Sequence, residues 1–143
     1  MYGLIINSNN EILISDEFQL NMRMTKFPGG GMEFGEGTID CLKREAIEEF
    51  GQEIKVLDHF YTTDYFQPTE FYSKGQLVSI YYLAQFKEEI KFKISDKPFN
   101  FDKEINGAQS FRWEKISNLN SNNFTFPIDQ KIVKLVKEKY QYL

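Results

Sequence analysis

Glu45, Glu48 and Glu49 fall at i, i+3 and i+4 of a segment whose apolar residues recur at helical spacing. On a helix with 3.6 residues per turn their carboxylates project within about one third of the circumference, beside the apolar stripe. Bare carboxylates at this spacing repel and cost a helix roughly 0.2 to 0.5 kcal/mol per pair. A face evolved only for solvation would alternate signs. Oxygens converging on one spot are what a hard divalent cation binds, Mg²⁺ first and Mn²⁺ as an alternative. Just upstream, Gly29, Gly30 and Gly31 follow Phe27 and Pro28. With no side chains in the way, their backbone carbonyls and amides can approach the same spot. Acids, cations and approachable backbone together suit a substrate of linked phosphates, whose charge the cations neutralise and whose phosphorus they polarise toward attack.

The elements that must position these groups follow from period and punctuation. Thr38 suits an N-cap, Ile39, Leu42, Ala46 and Phe50 form the apolar stripe, and Gly51 sits where a left-handed C-terminal cap belongs, so a helix is expected between them. The chain opens with an expected hairpin, Tyr2 to Ile6 and Ile12 to Ser15 around a turn at Asn7 to Asn10, followed by a polar stretch from Asp16 to Thr25. Strands are expected over Ile54 to Phe66 and Leu77 to Phe86, joined by a loop at Gln67 to Gly75, with a weaker strand at Lys91 to Ile94. Lys97 to Gly107 reads as an irregular acidic loop, Ser110 to Trp113 as a short strand and Asn118 to Asn123 as a polar connector. Pro127 opens a closing helix whose apolar face is Ile128, Ile132, Val133, Val136 and Tyr140. Strands with one helix in the middle and one at the end suggest an α/β class, a mixed sheet with helices on its faces.

Composition narrows the function classes. The 143 residues carry Lys+Arg 17 against Asp+Glu 21, a net charge of −4, with no basic cluster, which argues against a nucleic-acid polymer as partner. The first apolar run, Gly3 to Ile6, is too short for a signal peptide or a membrane span. The single cysteine, Cys41, cannot form an internal bridge, and the expected setting is cytoplasmic. The length suits one domain over residues 1–143 with its own core.

The order Gly30, five residues, Glu36, seven residues, then Arg44, Glu45, Ala46, one residue, Glu48, Glu49, one residue, Gly51 resembles the box of the Nudix hydrolase family, here residues 30–52. At about one chance in 15 for each fixed position, coincidence is about one in 10⁸ per starting point. Gln52 departs from the pattern, standing where the family has an aliphatic residue. The resemblance extends more loosely, in the MutT manner, to the opening hairpin, the tryptophan strand and the last helix. It implies the Nudix fold, an α/β/α sandwich with a mixed sheet, and Mg²⁺-dependent hydrolysis of a nucleoside diphosphate linked to another moiety. Small size favours a (deoxy)nucleoside triphosphate cut to monophosphate and pyrophosphate; ADP-ribose or a nucleotide sugar is the alternative, and a non-catalytic nucleotide-binding module a further one.

Carried over by the resemblance, Glu45, Glu48 and Glu49 are metal ligands, joined by the carbonyl of Gly29. Arg44 orients the glutamates, and Glu36 braces the loop or reaches metal through water. The general base in MutT-like members lies ahead of the tryptophan strand, where Glu104 matches best before Trp113, Asp102 is second, and a glutamate inside the box is the rival. Asp129 corresponds to a residue that reads the base edge. Arg23 and Lys26 precede the glycine loop and face either phosphate or solvent. The small nucleotide is the expected partner, and pairing into a homodimer stays open. Cys41 is expected as a small buried residue and His59 as an ordinary strand residue. Phe60, Tyr61, Tyr65, Phe66, Phe71, Tyr72, Tyr81 and Tyr82 are expected mostly in the core, although any could stack on a base.

Overall fold

The computed structural model describes residues 1–69 and 72–140. Six strands and two helices run in the order β1 (Tyr2–Ile5), β2 (Glu11–Gln19), β3 (Met22–Lys26), α1 (Thr38–Phe50), β4 (Ile54–Thr62), β5 (Ile80–Phe86), β6 (Ala108–Lys115) and α2 (Pro127–Tyr140). A mixed sheet of order β1-β5-β4 lies beside an antiparallel sheet of order β3-β2-β6. Alternation along the strands divides the core. Leu4, Ile12 and Ile14 pack with Ile132, Val133 and Val136 of α2, whereas Ile5 and Leu13 pack with Leu42, Ala46 and Phe50 of α1. Successive side chains of a strand point to opposite faces, so this split puts one helix on each side of the strands, the layered α/β/α arrangement the sequence implied.

Several local expectations change. The opening segments do not pair as a hairpin. β1 runs parallel to β5, from Tyr2 beside Tyr81 to Ile5 beside Ala84, and meets the next strand only at the isolated bridge of Ile6 and Ile12. The supposed polar stretch from Asp16 to Thr25 is instead the β2–β3 hairpin, with Asp16 opposite Thr25 and Gln19 opposite Met22. Its two-residue turn, Leu20 and Asn21, has φ of 52° and 58°, the conformation usually announced by Asn-Gly or Asp-Gly.

Lys91 to Ile94 forms no strand; Ile94 makes one parallel bridge to Phe111. The strands expected to end at Phe66 and begin at Leu77 stop at Thr62 and start at Ile80. Tyr65, Phe66 and Tyr72 lie between them and are exposed rather than packed, while Tyr81 is fully buried. Phe71 lies outside the described residues. A single 3₁₀ turn, Ile116–Asn118, leads into the polar connector, which ends in a second, Ser121–Asn123.

α1 matches its expected span. Its N-cap is Gly37, one residue earlier than expected, with the Gly37 N–H donating to Asp40 Oδ2 at 3.1 Å. Thr38 spends its hydroxyl on Tyr82 at 2.6 Å. Gly51, at φ 66°, closes the helix through its N–H to Ile47 O. Gln52 is buried; its amide donates to Glu89 O at 2.9 Å and accepts from Lys91 N at 2.7 Å, which pins the turn after β5. Two hydrogen bonds replace the apolar contact expected there.

Candidate active site

The glycine loop runs from the end of β3 across the chain start. Gly29 has φ 145°, and an added Cβ would strike the Met1 carbonyl and Tyr2. An added Cβ on Gly30 would strike the Glu45 carboxylate. Absence of side chains therefore lets the loop lie between β1 and α1 in direct contact with a box glutamate. Gly29 O accepts from Lys26 Nζ at 3.2 Å, Gly30 O from the Met1 α-ammonium at 2.6 Å, and Gly31 O from Arg44 Nη2 at 2.9 Å. Each of three successive carbonyls thus faces a positive charge.

Arg44 gathers the acids. Its Nε donates to Glu36 Oε2 at 2.9 Å and its Nη2 to Glu36 Oε1 at 2.8 Å, a bidentate pair. Nη1 donates to Glu45 at 3.2 Å and to Glu48 at 3.1 Å. The forked guanidinium fits this task where a point charge would not. Hydrogen bonds from Arg44 lower the Glu36 carboxyl to about 2, and the same contacts raise Arg44 further above its usual value. Glu36 also accepts from Glu33 N at 2.6 Å, which ties the loop to the clasp.

Glu49 differs from its neighbours. Gln109 of β6 donates to its Oε1 at 3.2 Å. Its Oε2 is buried and accepts no hydrogen bond from the described residues. Burial, with Glu17 and Glu45 pushing the same way against Lys26 and Gln109, raises its carboxyl to about 7. A buried carboxylate oxygen with no donor is costly unless a cation meets it. Drawn together, the carboxylates of Glu45, Glu48 and Glu49 with a loop carbonyl would make an all-oxygen donor set of the kind Mg²⁺ or Mn²⁺ takes. Among the described residues no three acidic, imidazole or thiol side chains are grouped as a metal cage; Glu45 and Glu48 both pair with Arg44.

Lys26 Nζ also meets Glu17 Oε2 at 3.1 Å, with side chains 13% and 9% exposed, and Ser15 Oγ donates to the same carboxylate at 2.9 Å. Burial alone would lower the lysine, yet Glu17, Tyr2 and Glu49 outweigh it and hold the ammonium above its usual value. This residue therefore faces a buried acid and the glycine loop rather than solvent. Asp129 is 2% exposed and accepts from the Tyr81 hydroxyl at 2.6 Å. It borders a cavity of about 180 Å³ lined also by Tyr2, Gln67, Ser79 and Phe126.

Glu104 pairs with Arg23. Arg23 holds it through two hydrogen bonds, Nε at 2.6 Å and Nη2 at 3.2 Å, on an exposed surface. That pairing keeps the Glu104 carboxyl below the usual range. Asp102 lines a separate cavity of about 600 Å³ beside Gln109. Cys41 is fully buried, and His59 shares a hydrogen bond with Thr62 at 2.8 Å as a strand residue would.

Arg44 joins Glu36, Glu45 and Glu48 to the Gly31 carbonyl, whereas Gly29 O meets Lys26 and Glu49 meets Gln109. Gln109 and Glu17 were not foreseen. Both reach the site from strands, Glu17 from β2 and Gln109 from β6, through pairings that local pattern does not show.

The NUDIX domain family matches residues 2–134 of this chain. No curated protein matches it in sequence. A MutT structure, from work on the proteins of Aliivibrio salmonicida and Vibrio cholerae, shares 23% identity, covers 97% of this chain and 95% of its own, and superposes with a TM-score of 0.61. A NUDIX hydrolase from Nitrosomonas europaea shares 15% identity over 96% of this chain and 86% of its own, with a TM-score of 0.68. A UDP-X diphosphatase shares 15% identity over 97% of this chain and 62% of its own, with a TM-score of 0.61. No helix among the described residues is long and apolar enough to cross a membrane.

Proposed function

Because this chain belongs to the Nudix hydrolase family, we propose that it hydrolyses a (deoxy)nucleoside triphosphate to the monophosphate and pyrophosphate. The observation that carries this reading is the buried, unpaired Oε2 of Glu49 beside the Arg44 clasp. A buried carboxylate oxygen without a donor suits a divalent cation, and a cation suits a diphosphate. Members of the family generally use divalent metal ions; here the ligands would be Glu45, Glu48, Glu49 and the Gly29 carbonyl, with Glu36 reaching through water and Mg²⁺ the first choice. When bound, the metal neutralises the diphosphate and polarises the phosphorus.

The chain's own residues do the rest. Arg44 holds Glu45 and Glu48, which would be metal ligands, at the glycine loop, and its bond to Gly31 O keeps the loop against α1. Substrate phosphates compete with Glu104 for the Arg23 guanidinium. Their arrival frees the Glu104 carboxylate, which takes the proton of the attacking water while the bridging P–O bond breaks and pyrophosphate leaves. The cavity beside Asp129, with the Tyr2 and Tyr81 rings, receives the nucleobase, and the Asp129 carboxyl hydrogen-bonds its edge. Product analysis across nucleoside triphosphates, ADP-ribose and nucleotide sugars, with and without Mg²⁺, tests the reading. Cleavage of the sugar-linked diphosphates alone would replace the triphosphate as substrate.

A further inference from the structure

We infer that Lys26 competes with the divalent ion for the carbonyl oxygen of Gly29 and so sets how tightly the free protein binds metal. The inference rests on the metal-centre reading above. It starts from placement. Lys26 is the last residue of β3, and its backbone is fixed opposite Ser15. Its stem passes the Tyr2 ring, with Nζ 5.4 Å from the ring centroid, and Nζ ends between Gly29 O at 3.2 Å and Glu17 Oε2 at 3.1 Å. Of the three loop carbonyls, Gly29 O is the one the metal reading uses. In the free protein it accepts from the Lys26 ammonium.

A carbonyl oxygen has a second lone pair, but a divalent cation bonded to it would sit beside a half-buried ammonium. Like charges at that range in a poorly solvated site repel by much more than they do in water. With a divalent ion at that oxygen, Nζ would shift toward Glu17, its ion-pair partner. Glu17 is held ready for this by the Ser15 hydroxyl, at 2.9 Å. Lys26 thus keeps the carbonyl turned inward before metal arrives and weakens the binding of that metal.

The test is Mn²⁺ binding to the nucleotide-free protein, followed by calorimetry and by loss of the free-ion EPR signal. Wild type is compared with K26M and with the double variant E17Q/K26M, all checked for folding by circular dichroism. The double variant removes both charges and avoids a lone buried carboxylate should K26M fold poorly. About tenfold tighter Mn²⁺ binding in both variants is expected. Equal binding by all three proteins overturns the inference and leaves the metal centre standing. Tightening in K26M that vanishes in E17Q/K26M assigns the effect to the freed Glu17 charge and also overturns it. No Mn²⁺ binding by any of the three overturns the metal-centre reading, and the inference falls with it.

Discussion

Arg23 and Glu104 meet across 81 positions of sequence in a bidentate pair, Nε at 2.6 Å and Nη2 at 3.2 Å. Arg23 also lies over the Phe99 ring at 5.0 Å, so the turn end of the β2–β3 hairpin and the acidic loop before β6 are latched together. A carboxylate so held is a poor base, and an arginine so held is a poor phosphate ligand. In the proposed mechanism substrate phosphates would release both.

The latch gives separable kinetic effects. E104Q is expected to lower kcat by roughly a hundredfold with a small change in KM, as loss of a general base does. R23M is expected to raise KM several-fold while costing less in kcat. Steady-state kinetics with the cleaved nucleotide decides this, and an E104Q enzyme with wild-type kcat would move the base into the box.

Asp129 makes stability depend on pH with an unusual sign. Burial raises its carboxyl from 3.8 to about 7, against the opposing pull of the Tyr81 hydroxyl. The folded state therefore favours the protonated acid, and the unfolded chain releases that proton at lower pH. Its contribution is fully present below about pH 4, falls as pH rises toward 7 and is constant above. The whole shift corresponds to about 4 kcal/mol at most. D129N keeps an oxygen for Tyr81 and is expected to flatten this part of the profile. Urea melts of both proteins between pH 4 and 8 measure it, and identical slopes would show that the carboxyl is not titrating there.

Neighbouring glycines should differ sharply. A methyl group on Gly30 would run into the Glu45 carboxylate, whereas one on Gly31 meets nothing within 4 Å. G30A is expected to lose more than tenfold in kcat/KM because Glu45 must move, and G31A less than threefold, since its backbone carbonyl still meets Arg44. Equal effects would mean that the Gly30 contact does not fix Glu45.

What could be read from the sequence follows from the range of the interactions involved. Glu45, Glu48 and Glu49 share a helix, and Gly30 to Gly51 is one loop and one helix, so spacing alone places them. α2 was equally plain from Ile128, Ile132, Val133 and Val136. The hairpin β2–β3 was hidden because Asp16 and Glu17 look solvated. Asp16 is fully buried, bound by Arg112 at 2.7 Å and Thr25 at 2.8 Å, and Arg112 is 96 positions away. Polarity reads as exposure until the partner is known. The parallel pairing of β1 with β5 is likewise a long-range choice that local pattern does not carry. At the site the same limit applied to Glu17 with Lys26 and to Gln109 with Glu49, pairs that join different strands or a strand and a helix.

The most direct test of the central claim is product release by wild type and E48Q on the same nucleoside triphosphates, with Mg²⁺ and with EDTA. The account predicts monophosphate and pyrophosphate from the wild type only when metal is present, and more than tenfold less from an E48Q protein that melts at a similar temperature. Equal turnover by the two proteins, or turnover undiminished in EDTA, would contradict it.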